Sequence, residues 1–358
     1  MKILIITNHS YMLWRFRKEL IQELMKEHEV VLSMPFVGHE EDFKALGIRC
    51  INTHVDRRGI NPKTDLKLMK SYDRLMKEEK PDLVITYSIK PNVYAGLVCN
   101  IRKVSYFANV QGLGTAFQTP GLTQFVTLLY KAALCGAKGV FFENQANAEE
   151  FRKRKIVDAK KQIILNGAGI NLEEYPYQEY PENEKLHFLY LGRIMREKGM
   201  DELFAAVQKL HEEGEAFVLD LVGFFEDEYK EQVEALEQRG VAVFHGFTED
   251  PKPYYGGADC VVMPSYHEGM SNVLLEAAAI GRPVITSDIP GCREAVEDGK
   301  SGMLVEVRNS ESLYGAMKQM LKLSRKERMA MGVAGCQKMA REFDKRTIVA
   351  ETVKALGL

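Results

Sequence analysis

Short apolar runs, rich in Val and Ile and without alternating polarity, recur along the first half of the chain. Such runs are typical of strands buried on both faces of a parallel sheet. Amphipathic pieces at 15–27 and 65–79 separate them, so the pattern predicts alternating β-strands and α-helices. The predicted strands of this half are 2–7, 29–34, 48–52, 82–88, 104–110, 139–144 and 162–166.

The alternation stops at 171–185, which is polar, acidic and proline-containing, and which we interpret as a linker. It then restarts, with helices predicted at 201–214 and 228–240. Because 358 residues suit two domains better than one, the sequence predicts an α/β fold of two Rossmann-like, doubly wound parallel-sheet domains facing a cleft, at 1–170 and 186–342. The predicted strands of the second half are 186–192, 217–223, 241–246, 260–265, 283–288 and 302–306.

Composition narrows the function classes. A net charge of −2 gives no basic field for nucleic acid. The six cysteines include no CxxC pair, so neither a zinc site nor a disulfide framework is predicted, and the absence of a DxD motif predicts no bound metal. The apolar start MKILIIT is too short for a signal peptide, and no segment is long enough to span a bilayer. We therefore expect a cytoplasmic protein and leave open a place on the inner face of a membrane.

Charged residues follow the predicted strands of the second half, at the edge where doubly wound sheets bind ligands. Arg193 and Lys198 lie five residues apart in the loop GRIMREKG. Two cations directly after a buried strand suit a diphosphate, with arginine as a bidentate donor and lysine as a point charge. The alternative is that both are ordinary solvated surface charges.

The stretch EGMSNVLLE at 268–276 places a glutamate at each end of an otherwise apolar segment. Gly269 disfavours a helix that includes Glu268, whereas Ser271 is a good N-cap for a helix that ends near Gly281. Glu268 is therefore predicted to lie in the loop, beyond the start of the helix.

The same helix start is predicted to bind an anion through the amides of Ser271, Asn272 and Val273. Glu276 would lie about one turn inside, on a face that also looks toward the cleft. Two carboxylates on either side of an anion site match a nucleotide sugar, which carries hydroxyl groups at both ends of a diphosphate. The alternative is an exposed helical glutamate and an unrelated loop acid.

GRIMREKG and SYHEGMSNVLLEAAAIGRPVITSDIPGCREAVEDGKSG resemble the retaining glycosyltransferases of the GT4 type, which have the two-domain GT-B fold. The motifs GMSNVLLEAAA and DIPGCRE are similar to those of bacterial capsule, O-antigen and glycan-assembly enzymes. The resemblance is strong across 186–306 and weaker across 1–170.

The resemblance implies a role for individual residues. Arg193 and Lys198 would hold the donor diphosphate, Glu268 would contact the transferred sugar, and Glu276 would bind the ribose. A final helix at about 343–358 would cross back to the N-terminal domain. The donor site would be completed by Gly246, Phe247, Gly269, Met270, Ser271, Asn272 and Val273.

The implied function is retaining transfer of a hexose or N-acetylhexosamine from a UDP-sugar to a lipid-linked glycan acceptor, without a cofactor or metal. The acceptor itself would carry a polyprenyl diphosphate. Acceptor-side candidates are His9, Lys90, Gly112 and Gly114. The loop 111–121 lacks a histidine that many relatives carry there, which leaves the acid–base group of the site open. A front-face mechanism, in which the departing phosphate takes the acceptor proton, would need no protein base.

Two segments of the N-terminal half leave membrane contact open. The stretch 11–20 holds Trp14, Arg15 and Arg17, which suit a membrane surface or a lipid-linked diphosphate, or else an amphipathic helix with Trp14 partly in the core. Arg57 and Arg58 follow a strand and could meet acceptor phosphates. The segment 119–139 is apolar enough for a core helix or a partly membrane-facing one.

Three other functions stay open on the sequence. A hydrolysing nucleotide-sugar epimerase of similar fold would explain the diphosphate site without an acceptor, although EGMSNVLLE argues against it. An NAD enzyme is disfavoured because QGLGTAF lacks the third glycine of GxGxxG. A non-enzymatic nucleotide-sugar sensor would keep every motif residue, so only a turnover assay separates it from an enzyme.

Overall fold

The computed structural model describes residues 1–56, 61–113, 117 and 121–358. The chain divides into two compact units. Unit 1 comprises Met1–Ala168 together with Arg346–Leu358, and unit 2 comprises Gly169–Lys345.

Unit 1 is built on a parallel sheet with the strand order β3-β2-β1-β4-β5-β6-β7. Its strands are β1 Lys2–Ile6, β2 Glu29–Met34, β3 Arg49–Asn52, β4 Leu83–Tyr87, β5 Ser105–Val110, β6 Gly139–Phe142 and β7 Gln162–Ile164. Its helices are α1 Ser10–Met25, α2 Glu40–Ala45, α3 Pro62–Glu79, α4 Gly96–Arg102, α5 Leu122–Leu134, α6 Gln145–Lys153 and, at the end of the chain, α13 Lys345–Leu356. A π-helical turn at Pro91–Ala95 and a 3-10 turn at Ala159–Lys161 complete the described elements of this unit.

The apolar strands are explained by burial on both faces of the sheet. Successive residues of β1 point to opposite sides, so Ile3 and Ile5 pack into one core cluster while Leu4 and Ile6 pack into another. A strand between two helical layers has no solvent-facing side. This is why its sequence lacks polar alternation.

Unit 2 repeats the architecture with the strand order β10-β9-β8-β11-β12-β13. Its strands are β8 Leu186–Leu191, β9 Phe217–Val222, β10 Ala242–Gly246, β11 Cys260–Met263, β12 Val284–Ser287 and β13 Gly302–Val305. Its helices are α7 Met200–Glu212, α8 Lys230–Gln238, α9 Lys252–Gly257, α10 Asn272–Ile280, α11 Ser310–Lys322 and α12 Arg325–Glu342, with 3-10 turns at Arg196–Lys198 and Arg293–Ala295. The predicted fold class of two doubly wound parallel-sheet α/β domains is confirmed.

The predicted linker at 171–185 is instead part of unit 2. Its Tyr175 and Tyr180 side chains are buried. The fully buried guanidinium of Arg282 explains why the polar backbone stays attached, since it donates to the carbonyl oxygens of Gln178 at 3.1 Å and Glu179 at 2.8 Å. Backbone carbonyl oxygens satisfy this buried charge where the sequence shows only a polar, acidic stretch.

The last helix, α13, belongs to unit 1 beyond its first residue. Ile348 and Leu356 are buried in the same core cluster as Leu13 and Leu20 of α1. Among the helices of the described ranges, none is long and apolar enough to cross a bilayer.

Replacing Arg282 with methionine should destabilise unit 2 by about 3 kcal/mol or more, because several buried carbonyl oxygens would lose a charged donor. Chemical denaturation followed by circular dichroism measures the free energy of unfolding. Arg325→Met is the matched control, since Arg325 donates to the Tyr180 carbonyl at 2.7 Å and to the Pro181 carbonyl at 3.1 Å, but its side chain is 47% exposed. Equal losses in the two variants would contradict the role given to burial.

Candidate functional site

The order of the strands in the sheet of unit 2 reverses at β8. This strand pairs with β9 on one side and with β11 on the other, so the connections that follow β8 and β11 leave toward opposite faces. The crevice between two such loops is the usual ligand site of an open α/β sheet. The loop after β8 carries Arg193 and Lys198, and the loop after β11 carries Glu268.

Lys198 and Glu268 meet across this switch point. The Lys198 ammonium lies 2.5 Å from Oε1 of Glu268, with the two side chains 15% and 14% exposed. At this burial, water screens the pair only in part, so each charge helps to fix the position of the other. The structure thus unites two residues that are 70 positions apart in the sequence.

Backbone contacts hold the two loops together. The Tyr266 amide donates to the Glu197 carbonyl at 2.9 Å. Gly199 adopts φ +76, and a Cβ there would lie 2.1 Å from the carbonyl oxygen of Pro264. A side chain at position 199 would therefore force the Lys198 loop away from the Glu268 loop.

Gly291, in the motif DIPG, fixes the other side of the Glu268 loop. Its carbonyl accepts from the Ser271 amide at 2.8 Å. It adopts φ +88, and a Cβ there would lie 2.5 Å from the carbonyl oxygen of Gly269. The motif DIPG, which lies downstream of the two glutamates, therefore holds the Glu268 loop in place.

Helix α10 follows this loop with Ser271 at the N-cap and Gly281 at the C-cap, as the sequence predicts. The predicted anion site needs a correction, because the Ser271 amide is already bonded to Gly291. Asn272 and Val273 are the first residues of the helix, where amides have no partner within the helix itself. They are half-buried, whereas Met270 is buried.

Glu276 is not an exposed helical glutamate, and it does not lie on an open face of the helix. It is only 5% exposed, and its Oε2 accepts a hydrogen bond from the Tyr255 hydroxyl at 2.9 Å. A buried carboxylate is stable only when its oxygens have donors, so Tyr255 fixes its orientation. Sequence reasoning did not identify Tyr255, because α9 carries no motif that ties it to α10.

Arg193 also has a carboxylate partner. Its NH1 lies 2.6 Å from Oε2 of Glu226, which is 16% exposed, while the arginine is 46% exposed. The acidic triplet 226–228, which includes Glu226, lies in the loop after β9, and α8 begins only at Lys230. Its position after a strand was the available signal.

An aromatic pair lies at the carboxyl ends of β9 and β10. Phe224 is 47% exposed and Phe247 is 58% exposed, and their rings meet edge to face with centroids 6.2 Å apart. Gly246, the last residue of β10, adopts φ +74 and places Phe247 in this position. Exposed aromatic faces at strand ends are suited to stacking on a planar ligand group.

The sheet of unit 1 has its own switch point, between β1 and β4. There the Ser88 hydroxyl donates to Oδ1 of Asn8 at 2.8 Å, and Ser88 adopts the left-handed value φ +75. His9 occupies the N-cap of α1 directly after β1. A strained serine at a switch point is the kind of feature that functional sites retain.

A buried ion pair lies at the same edge of unit 1. The Arg17 guanidinium is 2.7 Å from Oε1 of Glu143, which follows β6, and it also lies over the Tyr87 ring. Arg17 is 7% exposed, so it is not the surface cation that its amphipathic context predicts. Burial raises the pKa of Glu143 to about 7, although the Arg17 charge favours the ionised form.

The remaining acceptor-side predictions have mixed outcomes. Lys90 is ion-paired with Asp65 at 2.8 Å and is mostly buried, so it is not displayed to a ligand as predicted. Gly112 is half-buried in the loop after β5. Gly114 lies outside the described residues, as do Arg57 and Arg58.

Trp14 is half-buried and packs on unit 1 itself. Its ring stacks on His39 with centroids 5.5 Å apart and meets Phe43 edge to face at 5.1 Å. Lys18 lies over the same ring. Of the two interpretations of 11–20, the structure favours the amphipathic helix.

No group of three or more His, Cys, Asp or Glu side chains is arranged to hold a metal ion within the ranges that the structure describes. The loop after β8 carries two cations, Arg193 and Lys198, and each lies beside a carboxylate.

Two family models match the chain. The model described as glycosyl transferase 4-like matches residues 2–144, and the model described as glycosyl transferases group 1 matches residues 185–323. The resemblance seen in the sequence is therefore confirmed in both halves.

Relatives of known role match most of the chain. It is 27% identical over 333 residues to the N,N'-diacetylbacillosaminyl-diphospho-undecaprenol alpha-1,3-N-acetylgalactosaminyltransferase of Campylobacter jejuni, with 87% of each chain covered. It is 24% identical over 312 residues to the capsular polysaccharide biosynthesis glycosyltransferase CapM of Staphylococcus aureus, covering 82% of this chain and 81% of CapM.

Solved structures share the fold across the chain. Anabaena HepE, solved in complex with UDP and glucose, superimposes with a TM-score of 0.83 at 16% identity, covering 100% of this chain and 99% of HepE. The sucrose-phosphate synthase from Thermosynechococcus elongatus gives a TM-score of 0.78 at 20% identity, covering 99% and 98% of the two chains.

The raised pKa of Glu143 predicts a pH-dependent stability. Between the ordinary carboxyl pKa of 4.5 and about 7, the folded state holds a proton that the unfolded state releases, so stability falls as the pH rises through this window. Glu143→Gln should remove about 3 kcal/mol of that fall.

Denaturation at a series of pH values measures the effect. Glu150→Gln is the control, because it removes the same charge from a half-exposed ion pair with Arg154. Parallel stability curves for wild type and Glu143→Gln would refute the assignment.

Proposed function

Because this chain belongs to the glycosyltransferases of the group 1 and 4-like type, we propose that it is a retaining enzyme that uses a UDP-sugar. It moves a hexose or N-acetylhexosamine to a polyprenyl-diphosphate-linked glycan acceptor in surface polysaccharide or glycan assembly. The observation that carries this proposal is the Lys198–Glu268 pair at the switch point of unit 2.

The pair suits the junction between a sugar and its phosphate. Glu268 can accept hydrogen bonds from sugar hydroxyl groups, while Lys198, 2.5 Å away, binds a phosphate oxygen. The bond that breaks in transfer lies between these two groups. As it breaks, negative charge accumulates on the leaving phosphate, and Lys198 together with Arg193 stabilises it.

Arg193 and Lys198 are held by carboxylates before a donor arrives. On binding, the diphosphate replaces the carboxylates as the anionic partner of the two cations. The cations are therefore already positioned and partly desolvated before the donor binds. Two cations in place also neutralise the diphosphate in the way a divalent metal does elsewhere, which supports metal-independent transfer.

The other end of the donor fits α10 and the aromatic pair. Glu276, oriented by the Tyr255 hydroxyl, would accept hydrogen bonds from ribose hydroxyl groups. The amides at Asn272 and Val273 face the start of the helix, where anions bind. Phe224 and Phe247 would stack on or flank the base.

Retention follows in this proposal from a front-face displacement. The acceptor hydroxyl attacks the anomeric carbon from the side of the departing phosphate. The C–O bond to phosphate breaks, the new glycosidic C–O bond forms on the same face, and the leaving phosphate oxygen takes the hydroxyl proton. No protein base is required, consistent with a loop at 111–121 that lacks histidine.

The acceptor class is supported by the relatives. The Campylobacter jejuni relative is named for a diphospho-undecaprenol substrate and the Staphylococcus aureus relative for capsular polysaccharide biosynthesis. In unit 1, His9 and Gly112 lie at the carboxyl ends of strands and remain the acceptor-side candidates.

Lys198→Ala and Glu268→Ala should each lower sugar transfer about 100-fold or more, because each removes charge that acts at the breaking bond. Radiolabelled transfer assays measure the rate, and circular dichroism checks the fold.

Lys209→Ala and Glu311→Ala are the matched controls. They break an ion pair of 2.6 Å in the same unit whose side chains are 40% and 70% exposed. Wild-type transfer by either site variant would remove the assignment, whereas loss in the controls would point to instability.

Calorimetric titration should show UDP binding without added metal, since the cations after β8 neutralise a diphosphate. NAD should not bind, because the proposed site is built for a nucleotide sugar. Addition of Mg²⁺ should leave the affinity almost unchanged. A preference for GDP would change the donor class but keep the reaction, and NAD binding would replace the proposal with a dinucleotide enzyme.

Turnover separates the remaining alternatives. Release of UDP that depends on an acceptor supports a transferase. Epimerised sugar without an acceptor indicates an epimerase, and binding without turnover indicates a sensor.

A further inference from the structure

One face of α5 is apolar and open to solvent. Leu128 is 65% exposed and Phe125 is 46% exposed, and Ala132 and Cys135 are exposed at the same helical spacing. The opposite side of the helix supplies the buried residues Val126, Tyr130, Ala133 and Leu134 to the core. The helix is therefore well packed, and its outer face is apolar without serving the core.

The end of α4 extends this face. The Asn100 side chain donates to the carbonyl oxygens of Ala132 and Ala133, each at 3.0 Å, and so fixes α4 against the end of α5. The next residue, Ile101, is 69% exposed. Among the large hydrophobic residues that the structure describes, Ile101 and Leu128 are the most exposed. We refer to Ile101, Phe125, Leu128, Ala132 and Cys135 together as the α5 face.

The segment of the chain that carries the α5 face contains charges of a single sign. No aspartate or glutamate occurs between Asp82 and Glu143, although acidic and basic residues are almost equal in number, at 50 and 48, over the whole chain. The cations of this stretch are Lys90, Arg102, Lys103, Lys131 and Lys138.

Two of these cations are neutralised within unit 1, since Lys90 pairs with Asp65 and Arg102 with Asp73. In the described part of the chain, Lys103, Lys131 and Lys138 form no ion pair. Lys161 adds a further cation, because its ammonium group donates to the Cys135 carbonyl at 2.9 Å at the end of α5.

We propose that the α5 face is a docking surface for a bilayer that contains anionic lipids. The apolar side chains enter the boundary between headgroups and acyl chains, and the lysines meet lipid phosphates. A second copy of this chain would bring the same unpaired lysines and repel this surface. The surface would give the proposed transferase access to a lipid-linked acceptor. This role rests on the proposed function, whereas the binding of the α5 face to a bilayer does not depend on it.

Sedimentation with vesicles tests the charge component. The full chain should bind vesicles of phosphatidylcholine with phosphatidylglycerol and bind vesicles of phosphatidylcholine alone much more weakly. Lys131→Gln combined with Lys138→Gln should lower the affinity by about five-fold for each lysine. Lys67→Gln combined with Lys70→Gln is the control, because both residues are exposed on α3 and the change in net charge is the same.

A single reporter tests insertion. Trp14 is the only tryptophan, so Leu128→Trp in a Trp14→Phe background places one fluorophore on the α5 face. Its emission should shift to shorter wavelength with anionic vesicles. Leu66→Trp in the same background is the control, since Leu66 is 51% exposed on α3.

The outcomes separate the alternatives. Equal shifts at positions 66 and 128, or vesicle binding unaffected by the lysine changes, would overturn the proposal. A dimer in analytical ultracentrifugation that Leu128→Gln dissociates would assign the face to a second copy and likewise overturn it. UDP binding measured in parallel keeps the two proposals distinct: intact UDP binding without vesicle binding rejects only the membrane surface.

Discussion

A strand buried on both faces can present polar groups only at its ends. Both sheets of this protein obey that constraint, and the positions of its chemical groups depend on it. In unit 2 the loops after β8, β9, β10 and β11 carry the cations, carboxylates and exposed aromatics, while the strands themselves supply the core. The reversal of strand order at β8 leaves space between two of these loops. A site at the switch point is thus a consequence of packing helices on both faces of the sheet.

The site is assembled as opposite charges already in contact. Lys198 with Glu268 and Arg193 with Glu226 are ion pairs across neighbouring loops. Such pairs contribute little to stability because desolvation offsets their attraction. The contacts nevertheless hold long side chains in one orientation. Glu276 is held differently, through a neutral hydroxyl donor from Tyr255.

Unit 1 uses the same architecture with other chemistry. Its strand ends carry the strained Ser88, the buried Arg17–Glu143 pair and His9 at a helix start. None of these groups forms a site like that of unit 2, where two cations of one loop contact carboxylates of neighbouring loops. Its distinctive surface lies instead on α5, away from the strand ends in sequence, where apolar side chains and unpaired lysines coincide. Under the proposed function, unit 2 would bind the donor and unit 1 would meet the acceptor.

The amino-acid sequence by itself determined the fold class and the ends of α10. Apolar runs of strand length, Ser271 and Gly281 are local signals, because burial on two faces and helix capping act over a few residues. Only the tertiary structure decided that 171–185 joins unit 2, that Tyr255 holds Glu276 and that the Ser271 amide is bonded to Gly291. Each of these depends on contacts between residues far apart in the chain. The spacing of residues along the sequence does not reveal such contacts. They depend on the packing of the buried Arg282, of the buried Glu276 and of the two loops that contain Gly199 and Gly291.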